Sequence, residues 1–288
     1  MPTETWSVTE PQTIDIEAVS SLRAGIIAGR LDVIAHDGEG ARVEVADVSG
    51  EPLVVTLTEG RLEVRHREDG AQGWFKSMLG TISGSTQNTA TVSIALPAGV
   101  PVEVGTVTGD GLVSGTGPVT KLNTVSGSVL ADGTRGELHI NTVSGEVIAR
   151  GHQGLLTAKT VSGEVTASGE LNHVRANSVS GDLSFDSAGA MQDIGANTVS
   201  GALTVRIPHG VGLDLSVRTS SGRVVVDDER FTILGGKIAA NLGPEGQRIR
   251  LRANTVSGDV AVVHAAAPAD PAPDAPATAQ EPGLGAED

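Results

Sequence analysis

The 288-residue sequence has no cysteine and no tyrosine, and only two tryptophans and three phenylalanines. Without cysteine there are no disulfides, no thiolate metal site and no cysteine nucleophile. With so few rings, the side chains that usually dominate a core cannot do so here. Basic residues are scarce too: 20 Lys and Arg stand against 35 Asp and Glu, a net charge of −15. That balance argues against binding to nucleic acid phosphates or to an anionic membrane surface. It suits a soluble particle whose copies repel one another. No stretch reaches 18 uninterrupted apolar residues, so no membrane-spanning segment is expected. The opening MPTETWSVTEPQTIDIE has neither the basic nor the apolar segment of a secretory signal. The default expectation is a cytoplasmic protein.

What the chain does have is glycine, 38 residues of it, among many small β-branched residues. Both suit short strands joined by tight bends. The glycines keep a period. Gly109, Gly127, Gly145, Gly163, Gly181, Gly201, Gly222 and Gly258 close successive copies of a motif near Asn-Thr-Val-Ser-Gly. Their spacings are 18, 18, 18, 18, 20, 21 and 36. Because 36 is twice 18, a degenerate copy is expected in FTILGGKIAANLGPEG, residues 231–246. A sustained period of this length predicts an all-β fold, a parallel, β-helix-like β-solenoid with about 18 residues per rung.

One unit, ELHINTVSGEVIARGHQG (residues 137–154), reads as a strand, a bend at Ser144-Gly145, a shorter strand and a glycine-rich return. Alternation gives the inward positions. The second strand offers Val129, Val147, Val165, Leu183, Leu203, Val224 and Val260, then Ala131, Ala149, Ala167, Phe185, Val205, Val226 and Val262. The first offers Leu138, Leu156, Val174, Ile194, Leu215 and Leu251, then Ile140, Ala158, Ala176, Ala196, Val217 and Ala253. The motif valine (Val125, Val143, Val161, Val179, Val199, Val256) is expected to turn inward at a bulge or corner. Stacked in parallel about 4.8 Å apart, eight or nine units span on the order of 40 Å.

The flanks differ. Residues 1–13 read as a flexible N-terminus. Residues 14–100 read as β without the period, a region that starts and caps the repeat of residues 101–263, since a bare strand edge invites aggregation. Residues 264–288 are Ala, Pro and acid and read as a disordered tail. In the N-terminal part, GWFKSMLG holds Trp74, Phe75, Met78 and Leu79. It reads either as a loop over the open end of the core or as a partner-docking patch, its apolar residues on one face of a short helix.

Reactive constellations are missing. Seven histidines are scattered without metal-ligand spacing. The Ser-Gly pairs lack a nucleophile elbow and recur too often to include one special serine. No phosphate-binding loop is present. The expectation is therefore no catalytic residue, no cofactor and no enzyme. A weak metal candidate is the column Glu146, Glu164 and Asp182, whose carboxylates would lie about 5 Å apart in parallel register and could share a calcium ion. The asparagine column Asn123, Asn141, Asn177, Asn197 and Asn254, interrupted by Lys159 and Arg218, reads as a structural amide ladder. The adjoining Thr/Ser column, Thr124 to Thr255, is conceivable as a flat ice-binding array.

The repeated NTVSGEV, KTVSGEV, NSVSGDL and NTVSGDV, with the closing GPEGQRIRLRANTVSGDVAV, resemble the bacterial β-strand-repeat family labelled putative adhesin, a domain-of-unknown-function family. The resemblance covers roughly residues 14–263 and implies an all-β solenoid. No signal, anchor or sortase-type motif is read in the sequence, so the surface role that the label implies is not carried over as an expectation. The expected function is a non-enzymatic scaffold or adhesin-like interaction module with an unknown protein partner and no nucleic acid. The alternatives are a carbohydrate-binding or carbohydrate-active β-helix, and a surface adhesin exported without a recognisable signal.

Overall fold

A computed structural model describes residues 3–66, 88–189, 192–231 and 236–266. Among them there are only strands and their connections. The N-terminal strands are β1 (Glu4–Val8), β2 (Gln12–Ile16), β3 (Ser21–Ile26), β4 (Ala28–His36), β5 (Ala41–Ser49), β6 (Leu53–Thr58), β7 (Arg61–His66) and β8 (Thr89–Pro97). The periodic part forms β9 (Val102–Thr106), β10 (Asp110–Ser114), β11 (Val119–Thr124), β12 (Val129–Asp132), β13 (Arg135–Thr142), β14 (Val147–Thr160), β15 (Val165–Ser178), β16 (Leu183–Ser187), β17 (Asp193–Thr198) and β18 (Leu203–Ile207). The last group is β19 (Gly212–Arg218), β20 (Val224–Val226), β21 (Glu229–Phe231), β22 (Lys237–Leu242), β23 (Arg248–Thr255) and β24 (Val260–His264).

In the periodic part the repeat sets the register. Asn123 pairs with Asn141 and Val129 with Val147, each 18 residues on, and Ala176 pairs with Ala196 where the spacing is 20. The 14-residue strands β14 and β15 run from one side of the structure to the other without a break, so the sheet bends round the core. The four inward columns predicted from the two strands are buried throughout. Phe185, at 1% exposure, fills a place that Ala149 and Ala167 occupy in neighbouring tiers. Valine, leucine, isoleucine and alanine fill a single continuous core cluster.

The parallel β-solenoid expected from the period is not the fold. The described strands form one mixed 24-stranded sheet that curves round and nearly closes into a barrel shape. Six pairs run antiparallel: β1–β6, β2–β5, β5–β8 and β6–β7 at the N-terminal end, and β19–β22 and β20–β21 at the other. The reason lies in where the period holds. Between residues 102 and 207 each unit meets its copy one period away. Before that range the chain keeps no period, and after it the copy closing at Gly222 pairs with β23 and β24 rather than with the tier before it; at both ends short connections fold the chain back on itself, as antiparallel pairing allows.

The hidden copy at residues 231–246 is also absent. The described part of that stretch holds the end of β21, and β22, which run antiparallel to β20 and β19. β23 instead lies between β17 and β19, and β24 between β18 and β20. The spacing of 36 therefore records an outward step and a return. The N-terminal end has a related arrangement: β3 lies between β7 and β9, and β4 between β8 and β10.

The motif glycine has a steric cause. A Cβ on Gly127, Gly145, Gly163, Gly181, Gly201, Gly258 or Gly222 would sit far inside van der Waals contact of the carbonyl oxygen of the glycine in the next tier. None of the seven has positive φ. They are glycines because the tiers approach too closely at the bend for a side chain.

Candidate interaction surface

Each unit of the periodic part turns at Asn-Thr-Val-Ser-Gly, and the direction of each side chain there decides what the surface offers. Alternation persists to the bend, so Thr points in and Val points out. The hydroxyls of Thr124, Thr142, Thr160 and Thr198 donate to the carbonyls of Gly127, Gly145, Gly163 and Gly201 at 2.9 to 3.1 Å. In the last two tiers the roles reverse. The N–H groups of Gly222 and Gly258 donate to the hydroxyls of Thr219 and Thr255 at 2.8 and 2.7 Å. A hydroxyl paired in this way can be buried at little cost. The column is buried, so it forms no flat outer array for ice.

The valines, expected inside, are outside. Val143, Val161, Val179, Val199 and Val256 are 41 to 52% exposed. They form an apolar stripe across the tiers. Beside them the serine hydroxyls donate to valine carbonyls of the neighbouring tier, as Ser144 does to Val125 at 3.1 Å. On the other side stands the asparagine column. Asn141 Nδ2 donates to Asn123 Oδ1 at 2.9 Å, Asn197 to Asn177 at 3.0 Å and Asn254 to Asn197 at 2.8 Å. The last bond spans 57 residues of sequence and follows from the insertion of β23.

Beyond the glycine, Glu146, Glu164 and Asp182 are exposed in successive tiers. Asp182 accepts the Ala202 N–H at 2.8 Å, and Asp110 and Asp259 accept those of Ser128 and Arg223 at 3.2 and 2.8 Å. These aspartates cap the backbone of the adjoining tier. Among the described residues, no group of three or more His, Asp or Glu is placed to hold a metal ion. Trp74, Phe75, Met78 and Leu79, the other expected site, lie outside the described residues, as does the tail beyond residue 266.

The outer face of β11, β13, β14, β15, β17, β23, β19 and β22 holds a feature that sequence reasoning missed. Of its carboxylates, Asp214 is paired with Arg248 at 2.6 Å, Asp193 lies 3.7 Å from Arg252, and Glu137 lies 3.2 Å from the His139 ring. Lys121, Lys159, Arg175, Arg250, Arg218 and Lys237 are exposed on this face. Their side chains make no ion pair or hydrogen bond among the described residues. They stand in or near the asparagine column, and counting their place in the period would have found them.

Two histidines are held elsewhere. His152 is fully buried, its Nδ1 within 2.9 Å of the Thr134 hydroxyl and its Nε2 3.2 Å from the Leu155 carbonyl. Burial pushes its pKa below the ordinary 6.5, against the pull of the Leu155 and Thr134 backbone bonds. His264 Nδ1 meets Asp227 at 2.7 Å. Partial burial pushes the Asp227 carboxyl up, but the His264 backbone N–H, ring and charge outweigh it and hold the group below its usual range. An open groove near the N-terminal edge is lined by Asp15, Glu17, His36, Glu39 and Arg42, among others. Arg42 is bound to Asp15 at 2.7 Å and His36 Nδ1 accepts the Gly38 N–H at 2.9 Å, so neither is poised as a base beside a nucleophile.

No protein-family model matches the chain, and no curated protein matches it. Solved structures do. A putative lipid binding protein from Parabacteroides distasonis is 13% identical, with 89% of this chain and 97% of that one covered at a TM-score of 0.51. A putative adhesin from Bacteroides fragilis is 11% identical, covering 92% and 97% at a TM-score of 0.37. A putative cell adhesion protein from Clostridium sporogenes is 12% identical, covering 89% and 100% at a TM-score of 0.27. At these identities the likeness concerns fold alone, and the superposition is substantial only for the first. No described helix is long and apolar enough to cross a membrane.

Proposed function

We propose that this protein is a non-enzymatic, adhesin-like binding module. It engages its target with the outer face that carries the asparagine ladder, the valine stripe and the exposed cations. The observation that carries this reading is repetition. The same outward side chains recur tier after tier, an arrangement suited to an extended target and poorly suited to chemistry, which requires one special group with its partners. A contiguous exposed apolar stripe is also the sort of feature that marks an interaction site. Fold neighbours described as adhesion and lipid binding proteins agree with a binding role, though their likeness extends only to the fold.

The test is adhesion itself. Labelled protein is applied to the extracellular material and envelopes of the native host, beside a variant with Val161→Ser and Val179→Ser. Retention of the wild type and at least partial loss in the variant are expected. A wild type that is not retained, or that turns over material in the same extracts, would overturn the reading.

A further inference from the structure

We infer that the target of this face is a carboxylate-bearing linear polysaccharide, an inference that rests on the binding role proposed above. The argument begins with charge. The chain carries −15 overall, yet on this face the exposed Lys and Arg side chains outnumber the carboxylates, so the surplus is cationic. Lys121, Lys159, Arg175, Arg250, Arg218 and Lys237 project from it with no partner among the described residues. Leaving unpaired cations together on one sheet is unfavourable through mutual repulsion unless an anion completes them. Arginine in particular presents a planar fork that matches a carboxylate.

Shape narrows the class. From β11 to β22 the face crosses eight adjacent strands, about 34 Å at 4.8 Å per step. The groove around Asp15 and Arg42 lies off it, and so does a second concavity around Asp110 and Glu146. A peptide is usually held by side-chain pockets or by pairing with a sheet edge, and the middle of this face is neither. Valines lie close to the sheet and are short, and among the described residues no tryptophan or tyrosine stands on these strands to act as an anchor at a membrane interface. The same lack removes the stacking platforms that unpaired nucleic acid bases use. A neutral sugar would need stacking as well, whereas a polyuronate need not. Its charges repeat along the chain and are met by cations on six of the eight strands, β11, β14, β15, β23, β19 and β22. Its hydroxyls meet the amide groups of the asparagine ladder, such as Asn177 beside Lys159.

The experiment is titration of the full chain with an oligouronate long enough to span the face, at low and at physiological ionic strength. The comparison probes are neutral dextran, poly-glutamate, single-stranded DNA and anionic phospholipid vesicles. The wild type is expected to bind the oligouronate most tightly, and more weakly as salt rises. Lys159→Glu combined with Arg175→Glu should weaken binding about tenfold or more, the neutral pair Lys159→Gln with Arg175→Gln should weaken it less, and Arg150→Glu, away from the face, should not. Unchanged circular dichroism and melting temperature show that the variants are folded. No oligouronate binding, equal binding of poly-glutamate, DNA or vesicles, or an equal loss in Arg150→Glu would overturn the inference. Adhesion to native material that survives such a failure leaves the binding role standing and rejects only the glycan.

Discussion

The middle of this protein and its two ends are built from the same residue types, yet they obey different rules. Between residues 102 and 207 every strand pairs in parallel with its copy one period away. At the ends antiparallel pairs join the parallel ones, and one tier is set between two others out of chain order. The difference teaches that a short repeat specifies neighbours only while a neighbour exists. Where copies run out, hairpins take the remaining hydrogen bonds and finish the sheet.

The comparison can be broken at the motif glycine. Gly163→Val sets a branched side chain against the Gly145 carbonyl. It should cost about 3 kcal/mol or more in chemical denaturation. Gly99→Ala, which meets nothing within 4 Å, should leave stability nearly unchanged. If both are tolerated, close stacking does not explain the glycine column.

A smaller effect separates centre from edge in the core. Ile140→Ala, in β13 with a strand on each side, should cost about 3 kcal/mol, and Ile238→Ala, in the edge strand β22, about half that. Thr160→Val removes the hydroxyl that donates to Gly163 at 2.9 Å and should cost about 1 kcal/mol.

The pH dependence follows from His152. Its folded pKa is depressed below 6.5, so the unfolded chain takes up the proton first. Its contribution is intact well above that value and is lost as pH falls through it. Melting temperature should drop between about pH 7.5 and about pH 5.5, and His152→Gln should flatten that drop. The smallest effect is outside: Val161→Ser should change stability by no more than about 0.5 kcal/mol, because the side chain is already half in solvent.

The inward columns were legible because alternation and an 18-residue step are local facts. Val143 was misjudged for an instructive reason. Polarity suggested Thr outside and Val inside, whereas strict alternation required the reverse. What permits it is a bond from Thr142 to the Gly145 carbonyl, three residues ahead. The insertion of β23 was not legible, since 36 reads equally well as two periods or as a departure and return. The cationic face was hidden by the net charge. A whole-chain sum cannot show that Asp214 and Asp193 face Arg248 and Arg252 while Lys159 and Arg175 make no ion pair among the described residues.

The seat of β23 and β24 also bears on how the protein is made. A ribosome delivers β17 and β18, then β19 and β20, and only afterwards the strands that separate them. While the chain is emerging, β19 has no permanent place beside β17, because that position belongs to residues not yet synthesised. The C-terminal end of the sheet therefore closes only after translation has passed residue 264, and a message truncated before β23 would release a chain whose finished tiers end in an open parallel edge.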